Sequence, residues 1–217
     1  MWVLRVSWLL GPLVPGSTWC RARCGSHPTR RRTRLNVDAY RSIVTKRDLR
    51  SFTDRSIEEP VLMKILNAGR MAGSSRNRQP WHFVVIRERP RLRELAAFGR
   101  FAQHVGTAAA AIALVLEDSG AAFDAGRCAQ NIMLAAWSWG VASCPATMHQ
   151  SAEAKVFLRI PPDKTLAIVV SLGYPHPRGR GAIERTALRI LASRGRRPLV
   201  SMVSWEEYGP SSIPIPH

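Results

Sequence analysis

The first cluster of side chains that could carry chemistry lies at residues 46–50. Lys46, Arg47 and Arg50 supply three positive charges, and Asp48 supplies one carboxylate. Such a cluster is favourable near a phosphate, because arginine offers a planar fork of donors and lysine offers a compact charge. Charge runs are also common in solvated turns, so this cluster alone leaves both interpretations open.

A second cluster lies at residues 74–79, immediately before Pro80 and Trp81. It concentrates short hydrogen-bonding side chains in one loop: Ser74, Ser75, Asn77 and Gln79. These side chains could bind a polar ligand. Serine and asparagine are also frequent in ordinary turns, so the loop by itself does not decide between the two uses.

Four segments carry a joint pattern: KRDLRSF at 46–52, AGSSRNRQPWHFVVI at 72–86, FDAGRCAQNIMLAAWSWGVASCP at 123–145 and SLGYP at 171–175. The pattern resembles that of the nitroreductases that depend on flavin mononucleotide (FMN). In that family a basic turn, a helix and a polar loop ending in Pro-Trp lead into a strand. The resemblance extends from about residue 37 to residue 209, and it is the joint match that is specific.

The resemblance implies an FMN-binding role for each segment. It implies that the basic turn holds the phosphate, ribityl and pyrimidine groups through Lys46, Arg47, Asp48 and Arg50. It implies that the polar loop reaches the flavin of the other subunit of an intertwined homodimer through Ser74, Ser75, Asn77 and Gln79. A loop whose backbone amides face flavin N5 and O4 is implied for Pro145, Ala146, Thr147 and Met148. A C-terminal basic pair, Arg194 and Arg196, is implied to complete the phosphate site.

The resemblance also implies a ping-pong reaction. NAD(P)H would deliver hydride to the flavin and leave, and a nitroaromatic, quinone or similar small-molecule acceptor would then take the electrons. No Ser/His/Asp triad is expected, because the cofactor carries the chemistry. The backbone N–H of Thr147 near flavin N5 and the cationic phosphate site would be the protein's main contributions.

Three residues depart from the family pattern. Gly73 replaces a common proline, Thr147 replaces a carboxylate found in some members, and Asp48 replaces a common serine. An aspartate at the position of Asp48 resembles a branch of the family that includes the flavin-destroying dimethylbenzimidazole synthases. Two alternative functions therefore stay open: an enzyme that consumes its own flavin, and a flavin-binding or sequestering protein without turnover.

The charge of the chain is strongly positive and unevenly placed. Its 217 residues have a formal net charge of +17, and residues 1–35 contain seven arginines and no acidic residue. We expect residues 1–35 to be a disordered basic extension or a misassigned start, although they faintly resemble a targeting segment. A domain at 36–209 and a flexible tail at 210–217 would follow.

Composition also limits the partners and the location of the protein. No apolar run approaches the roughly 20 residues that span a bilayer. The arginine run from Arg30 to Arg34 lacks interleaved aromatic residues and belongs to no recognisable nucleic-acid-binding module. We therefore expect neither a membrane nor a nucleic-acid partner. No histidine or cysteine pair follows Cys20 and Cys24 at zinc spacing, so no metal is expected. We interpret all four cysteines, Cys20, Cys24, Cys128 and Cys144, as reduced thiols of a cytoplasmic protein.

Hydrophobic periodicity predicts the elements that position these clusters. Helices are predicted at 37–45, at 56–71 with a Ser56/Glu59 capping box, at 91–98, at 123–139 and from residue 151. Short apolar runs predict strands at 81–87, 111–116 and 166–172. Helices around a few strands predict an α+β sandwich, and the resemblance implies a central mixed, mainly antiparallel sheet flanked by helices.

Overall fold

A computed structural model of the chain describes residues 39–117, 119–177 and 196–209. Its α-helices are α1 (Ala39–Thr45), α2 (Glu59–Arg70), α3 (Arg89–Ala97), α4 (Gln103–Gly106), α5 (Ala122–Ser138) and α6 (Ser151–Phe157). Its strands are β1 (Trp81–Ile86), β2 (Ala110–Leu116), β3 (Ala142–Ala146) and β4 (Thr165–Gly173). The predicted helices and strands are confirmed, with boundaries that differ by about two residues or less at most ends.

The four strands form one sheet in the order β1-β2-β4-β3, and every neighbouring pair is antiparallel. The predicted α+β class is therefore confirmed. Among the described residues, parallel pairing is limited to one bridge, between Asp48 and Ser143 at the outer edge of β3. This bridge attaches the basic turn to the sheet.

The core occupies both faces of the sheet, and β2 shows how the sequence divides it. Ile112 and Leu114 pack on the face covered by α2 and α5. Ala111 and Ala113 pack on the opposite face, which α3, α4 and α6 cover. Successive side chains of a strand point to opposite faces, and β2 is buried on both, so its run of apolar residues is uninterrupted.

The start of α2 differs from the predicted capping box. The helix begins at Glu59, and its N-cap is Glu58, which makes no side-chain capping bond. Pro60 explains the shift. A helix capped at Ser56 would need a hydrogen bond from the nitrogen of residue 60, and proline has no N–H and clashes with the carbonyl four residues earlier. In the first turn of the observed helix, Pro60 lacks only a donor that would be unpaired in any case.

The end of α5 matches the predicted stop at Gly140. Gly140 adopts a φ of 70°. Its N–H donates to the Trp137 carbonyl at 3.0 Å, and the N–H of Val141 donates to the Ala136 carbonyl at 2.9 Å. These two bonds form a Schellman motif, which requires a residue that tolerates the left-handed conformation. Neither α5 nor any other described helix is long and apolar enough to cross a membrane.

Candidate functional site

The basic turn follows α1 directly and lies along the outer edge of β3. The N–H of Leu49 donates to the Ser143 carbonyl at 3.1 Å, beside the bridge between Asp48 and Ser143. The middle of the turn is therefore attached to the sheet, and the polar side chains of the turn lie next to an edge strand.

Two of the predicted cofactor-binding cations are anchored by the chain itself. The Lys46 side chain is only 10% exposed; its ammonium group pairs with the Asp48 carboxylate and lies 3.4 Å from the sulfur of Met133 on α5. The Arg47 guanidinium donates to the Val44 and Lys46 carbonyls at 2.8 and 2.9 Å. Lys46 therefore orients a carboxylate that is 53% exposed, and Arg47 caps the end of α1.

Arg50 is exposed and lies beside Cys144 of β3. Burial raises the pKa of the Cys144 thiol, while the hydrogen bond and the charge of Arg50 act against this rise. Burial likewise raises the pKa of Cys128 to about 12. Both residues are free, buried cysteines, as predicted, whereas Cys20 and Cys24 lie outside the described residues. A raised pKa keeps the Cys144 thiol protonated, which disfavours a role as a nucleophile.

A buried hydrogen-bonded chain connects α4 to β3 behind the turn. Nδ1 of His104, which is 5% exposed, lies 2.8 Å from the Ser171 hydroxyl. That hydroxyl donates its proton to the Cys144 carbonyl at 3.0 Å. Ser171 can therefore only accept from His104, so Nδ1 carries the imidazole proton and Nε2 presents a lone pair.

Burial lowers the pKa of His104 to about 4; the nearby Arg50 charge lowers it further, and Asp48 opposes the shift. His104 is thus neutral at physiological pH. Its Nε2 is buried without a hydrogen-bond partner among the described residues. No role was predicted for His104 or Ser171, because neither lies in a motif that points to their contact.

The segment predicted as a backbone amide loop is partly a strand. Pro145 and Ala146 belong to β3, whereas Thr147 and Met148 follow it. Thr147 is exposed, and Met148 is buried in the core under α3, α4 and α6. The prediction of a four-residue loop was therefore wrong for its first half, because these two residues pair with β4.

Strand alternation determines which backbone groups face the open edge of β3. The Ser143 carbonyl faces outward, because it accepts from Leu49. Alternate residues of a strand direct their backbone groups to the same side, so Pro145 also faces outward, and Thr147 follows directly after the strand ends. Proline has no N–H to leave unpaired, which suits it to an edge.

The Ser74–Gln79 loop is shaped by its own hydrogen bonds. Residues Ser75–Asn77 form a 3-10 turn, and the N–H of Gln79 donates to the Ser74 hydroxyl at 2.8 Å. Arg76, Asn77 and Gln79 have φ values of 52°, 55° and 50°. A non-glycine residue is uncommon at positive φ, and three within four residues indicate a constrained loop.

The sheet separates this loop from the basic turn. The loop leads into Trp81, which pairs with Leu116 at one end of edge strand β1. The basic turn bridges Ser143, which pairs with Leu172 at the opposite end of the other edge strand. Three strand spacings and the length of β2 correspond to roughly 14 Å across the sheet and roughly 20 Å along it. The two clusters of one chain therefore do not share a site.

The C-terminal basic pair is only partly described. Arg194 lies outside the described residues, and Arg196 is exposed. Among the described residues, no cluster of three or more histidine, cysteine or acidic side chains is arranged to hold a metal ion.

Comparison with known proteins identifies this arrangement. The sequence profile of the nitroreductase family matches residues 43–116 and 115–174. A provisionally named NADH dehydrogenase/NAD(P)H nitroreductase of Archaeoglobus fulgidus is 33% identical over 149 residues, which cover 64% of this chain and 86% of that protein. A similarly named protein of Methanothermobacter thermautotrophicus is 29% identical over 149 residues, which cover 64% of this chain and 78% of that protein.

Solved structures agree in fold. A provisionally named nitroreductase of Desulfovibrio desulfuricans in complex with FMN has a TM-score of 0.65 and 27% identity, covering 79% of this chain and 98% of that one. The NADPH:FMN oxidoreductase of Vibrio harveyi complexed with NAD+ has a TM-score of 0.67 and 22% identity, covering 79% of this chain and 78% of that one. The profile match spans more than half of the sequence, and the chain belongs to the nitroreductase family.

Proposed function

We propose that this protein is an FMN-dependent oxidoreductase that uses NAD(P)H to reduce a nitroaromatic, a quinone or a similar small acceptor by a ping-pong mechanism. The family match supports this function, as does the solved relative of Desulfovibrio desulfuricans in complex with FMN. The relatives named as NAD(P)H nitroreductases support the choice of reductant.

The observation that carries the proposal is the attachment of the basic turn to β3 through Leu49 and Ser143. It places the turn near one end of the open edge of β3, and Thr147 directly follows the other end. Four residues of extended chain separate Ser143 from Thr147, a distance of roughly 13 Å. An elongated molecule with a phosphate at one end and a polar ring at the other fits this edge, and FMN has that form.

The chain's own residues would divide the binding between them. The exposed Arg50 would pair with the phosphate, together with Arg194 and Arg196, because guanidinium groups bind phosphate bidentately. Lys46 holds the Asp48 carboxylate in place to accept hydrogen bonds from the ligand. The N–H of Thr147 would donate to the ring. Bound FMN supplies the hydride acceptance and donation, and the protein supplies orientation and electrostatics.

We further propose that the active form is a homodimer. Large apolar side chains are exposed on α1, on α2 and just after α2, including Tyr40, Ile43, Met63 and Met71. A groove lined by Ile43, Leu134 and Ala135 lies in the same region. A second copy that covers this face would bury it. The Ser74–Gln79 loop could then reach the partner's flavin, which accounts for the distance between the loop and the basic turn of its own chain.

Visible spectroscopy tests the proposal directly. The purified protein is expected to be yellow, to bleach with NADH or NADPH under anaerobic conditions, and to recover its colour with a nitroaromatic or quinone. A colourless protein that FMN cannot reconstitute would overturn the proposal. Bound flavin that never bleaches would indicate a sequestering protein, and oxygen-dependent loss of the flavin would indicate an enzyme that consumes it. Sedimentation of the holoprotein tests the dimer.

A further inference from the structure

A cavity of about 690 Å³ opens between the segment that follows α2 and the first turns of α5. Its lining includes Met71, Gly73, Phe123, Arg127, Gln130 and Asn131. Arg127 is the one charged residue among the described residues that line it. The cavity lies along the first half of α5, and its lining does not include any residue of the basic turn, which contacts α5 further along at Met133.

Gly73 and Arg127 fit together at this cavity. A Cβ atom at position 73 would collide with Nη2 of Arg127 and would lie 3.1 Å from its Cζ. The absence of a side chain at residue 73 therefore creates the space that the guanidinium occupies. This is the position where the family pattern often has proline, so the space is a feature of this chain.

Within the part of the chain that the structure describes, Arg127 contacts Phe123 and Asp124 without a hydrogen bond from its guanidinium. The Cζ atom lies 5.7 Å from the centre of the Phe123 ring. The Asp124 carboxylate lies 3.6 Å from Nη1, which is too long for a hydrogen bond. The side chain is 47% exposed. A guanidinium has five N–H donors, so most of them remain available for a ligand.

The surrounding charge favours an anion. The sequence has no acidic residue between Pro60 and Arg87, and Arg70, Arg76 and Arg78 flank the lining segment 71–73. Asp124 opposes this excess, but it does not line the cavity. Positive charge gathered around a concave surface raises the local concentration of anions.

We propose that this cavity binds an aromatic electron acceptor that carries an anionic group, such as a carboxylate, with the anionic group on Arg127. The exposed Phe123 ring would contact the aromatic part. The proposal rests on the proposed function, because Gly73 directly precedes the loop that would reach the partner's flavin. The proposal narrows the possible electron acceptors to aromatic molecules that carry a negative charge.

Paired substrates provide the kinetic test. 4-Nitrobenzoate and 4-nitrobenzamide have similar shapes, and only the former is negatively charged. The change Arg127→Ala is expected to raise the KM for 4-nitrobenzoate by about tenfold or more and to change that for 4-nitrobenzamide by less than about threefold. Gly73→Ala keeps the charge but displaces the guanidinium, so an intermediate increase is expected. Arg93→Ala, which removes an exposed charge from α3, is the matched control.

Equal changes for the two substrates would overturn the proposal, as would an Arg127→Ala effect confined to the KM of NADH or NADPH. Calorimetric titration of the oxidised holoprotein with 4-nitrobenzoate needs no turnover. Binding in the wild type that Arg127→Ala abolishes supports the cavity even if no substrate is reduced, in which case only the proposed function fails. Equal binding by both proteins refutes the cavity, and unchanged circular dichroism excludes misfolding as the cause of a loss.

Discussion

The backbone N–H of Leu49 donates to the Ser143 carbonyl at 3.1 Å, and this bond joins the basic turn to the free edge of β3. Because the Ser143 carbonyl accepts this bond, it points away from β4, towards the free edge. Strand alternation then gives Pro145 the same direction, and Thr147 directly follows the end of the strand. A ligand along this edge would contact Arg50 at one end and Thr147 at the other.

The first prediction concerns the phosphate end of this edge. Arg50→Ala is expected to weaken FMN binding by about 10-fold to 100-fold, because a hydrogen bond to a charged group contributes about 1.5–3 kcal/mol. Combining it with Arg196→Ala is expected to weaken binding further. Fluorescence titration of the apoprotein with FMN measures both effects.

Arg93→Ala controls for the loss of one positive charge, since Arg93 is exposed on α3 and lies across the sheet from α5. It should leave FMN affinity within about twofold. If the double variant retained wild-type affinity, the phosphate would have to bind elsewhere.

The second prediction concerns His104 and pH. The pKa of His104 is about 4 in the folded protein and 6.5 in its ordinary state. Between these values the unfolded chain binds a proton that the folded chain does not. The free energy of unfolding is therefore highest, with respect to His104, above about pH 6.5. It decreases as the pH falls towards 4, by up to about 3 kcal/mol. Urea unfolding at a series of pH values measures the slope of the unfolding free energy against pH.

A variant pair isolates the histidine responsible. His104→Asn retains a donor for the Ser171 hydroxyl but cannot be protonated, so the slope between pH 6.5 and 4 should become shallower by up to one proton. His82 is exposed on β1, and His82→Gln should leave the slope unchanged. An identical slope in the wild type and in His104→Asn would contradict the prediction.

Periodicity predicted the three strands and most of the helices, because each buries enough apolar surface to leave a clear pattern. It did not predict β3. That strand is five residues long, contains Pro145 and includes only small or polar side chains. Proline in a short apolar run is a signal for an edge strand, and here that signal was hidden by the resemblance to a loop.

The site was predictable where its residues are close in sequence. Lys46, Asp48 and Arg50 lie within one turn, so their clustering could be read directly. The contact between His104 and Ser171 joins residues 67 positions apart, and it depends on how α4 packs against β4. No local pattern encodes such a contact, so it required the structure.

The third prediction concerns an exposed network at the start of α2. The Tyr174 hydroxyl donates to Glu58 at 2.5 Å, and Arg55 donates to the other carboxylate oxygen at 2.6 Å. The hydrogen bond from Tyr174 is the largest cause that lowers the pKa of Glu58, to about 2. Tyr174→Phe is therefore expected to raise the pKa of Glu58 towards its ordinary value of 4.5. Carbon-detected NMR titration of the carboxyl group measures the shift.

Arg55 also lowers the pKa of Glu58, through its hydrogen bond and its charge, so Arg55→Gln should raise this pKa as well. A pKa that stays near 2 in Tyr174→Phe would show that the phenol does not hold the carboxylate in solution.

The last prediction contrasts two helical glycines. Alanine normally stabilises a helix interior by about 0.5–1 kcal/mol relative to glycine. At Gly69 of α2, however, a Cβ would lie 2.7 Å from Cγ1 of Ile132 on α5 and 3.2 Å from Cζ of Phe83. Gly69→Ala is therefore expected to destabilise the fold by about 1–3 kcal/mol through overpacking. Gly126 of α5 has no atom within 4 Å of such a Cβ, so Gly126→Ala should show the normal stabilisation.

Urea unfolding of both variants provides the measurement, and a rescue variant tests the cause. Ile132→Val removes the Cδ1 methyl group, which would lie 2.9 Å from a Cβ at residue 69. In the Gly69→Ala background this change should therefore restore part of the lost stability, whereas in the wild type it should destabilise by about 0.5–1.5 kcal/mol. If the loss of stability in the double variant equalled the sum of the two single-variant losses, the methyl group of Ile132 would not be the cause of the Gly69→Ala loss, and the helices would have moved apart. The close approach of α2 and α5 would then not depend on the missing side chain of Gly69.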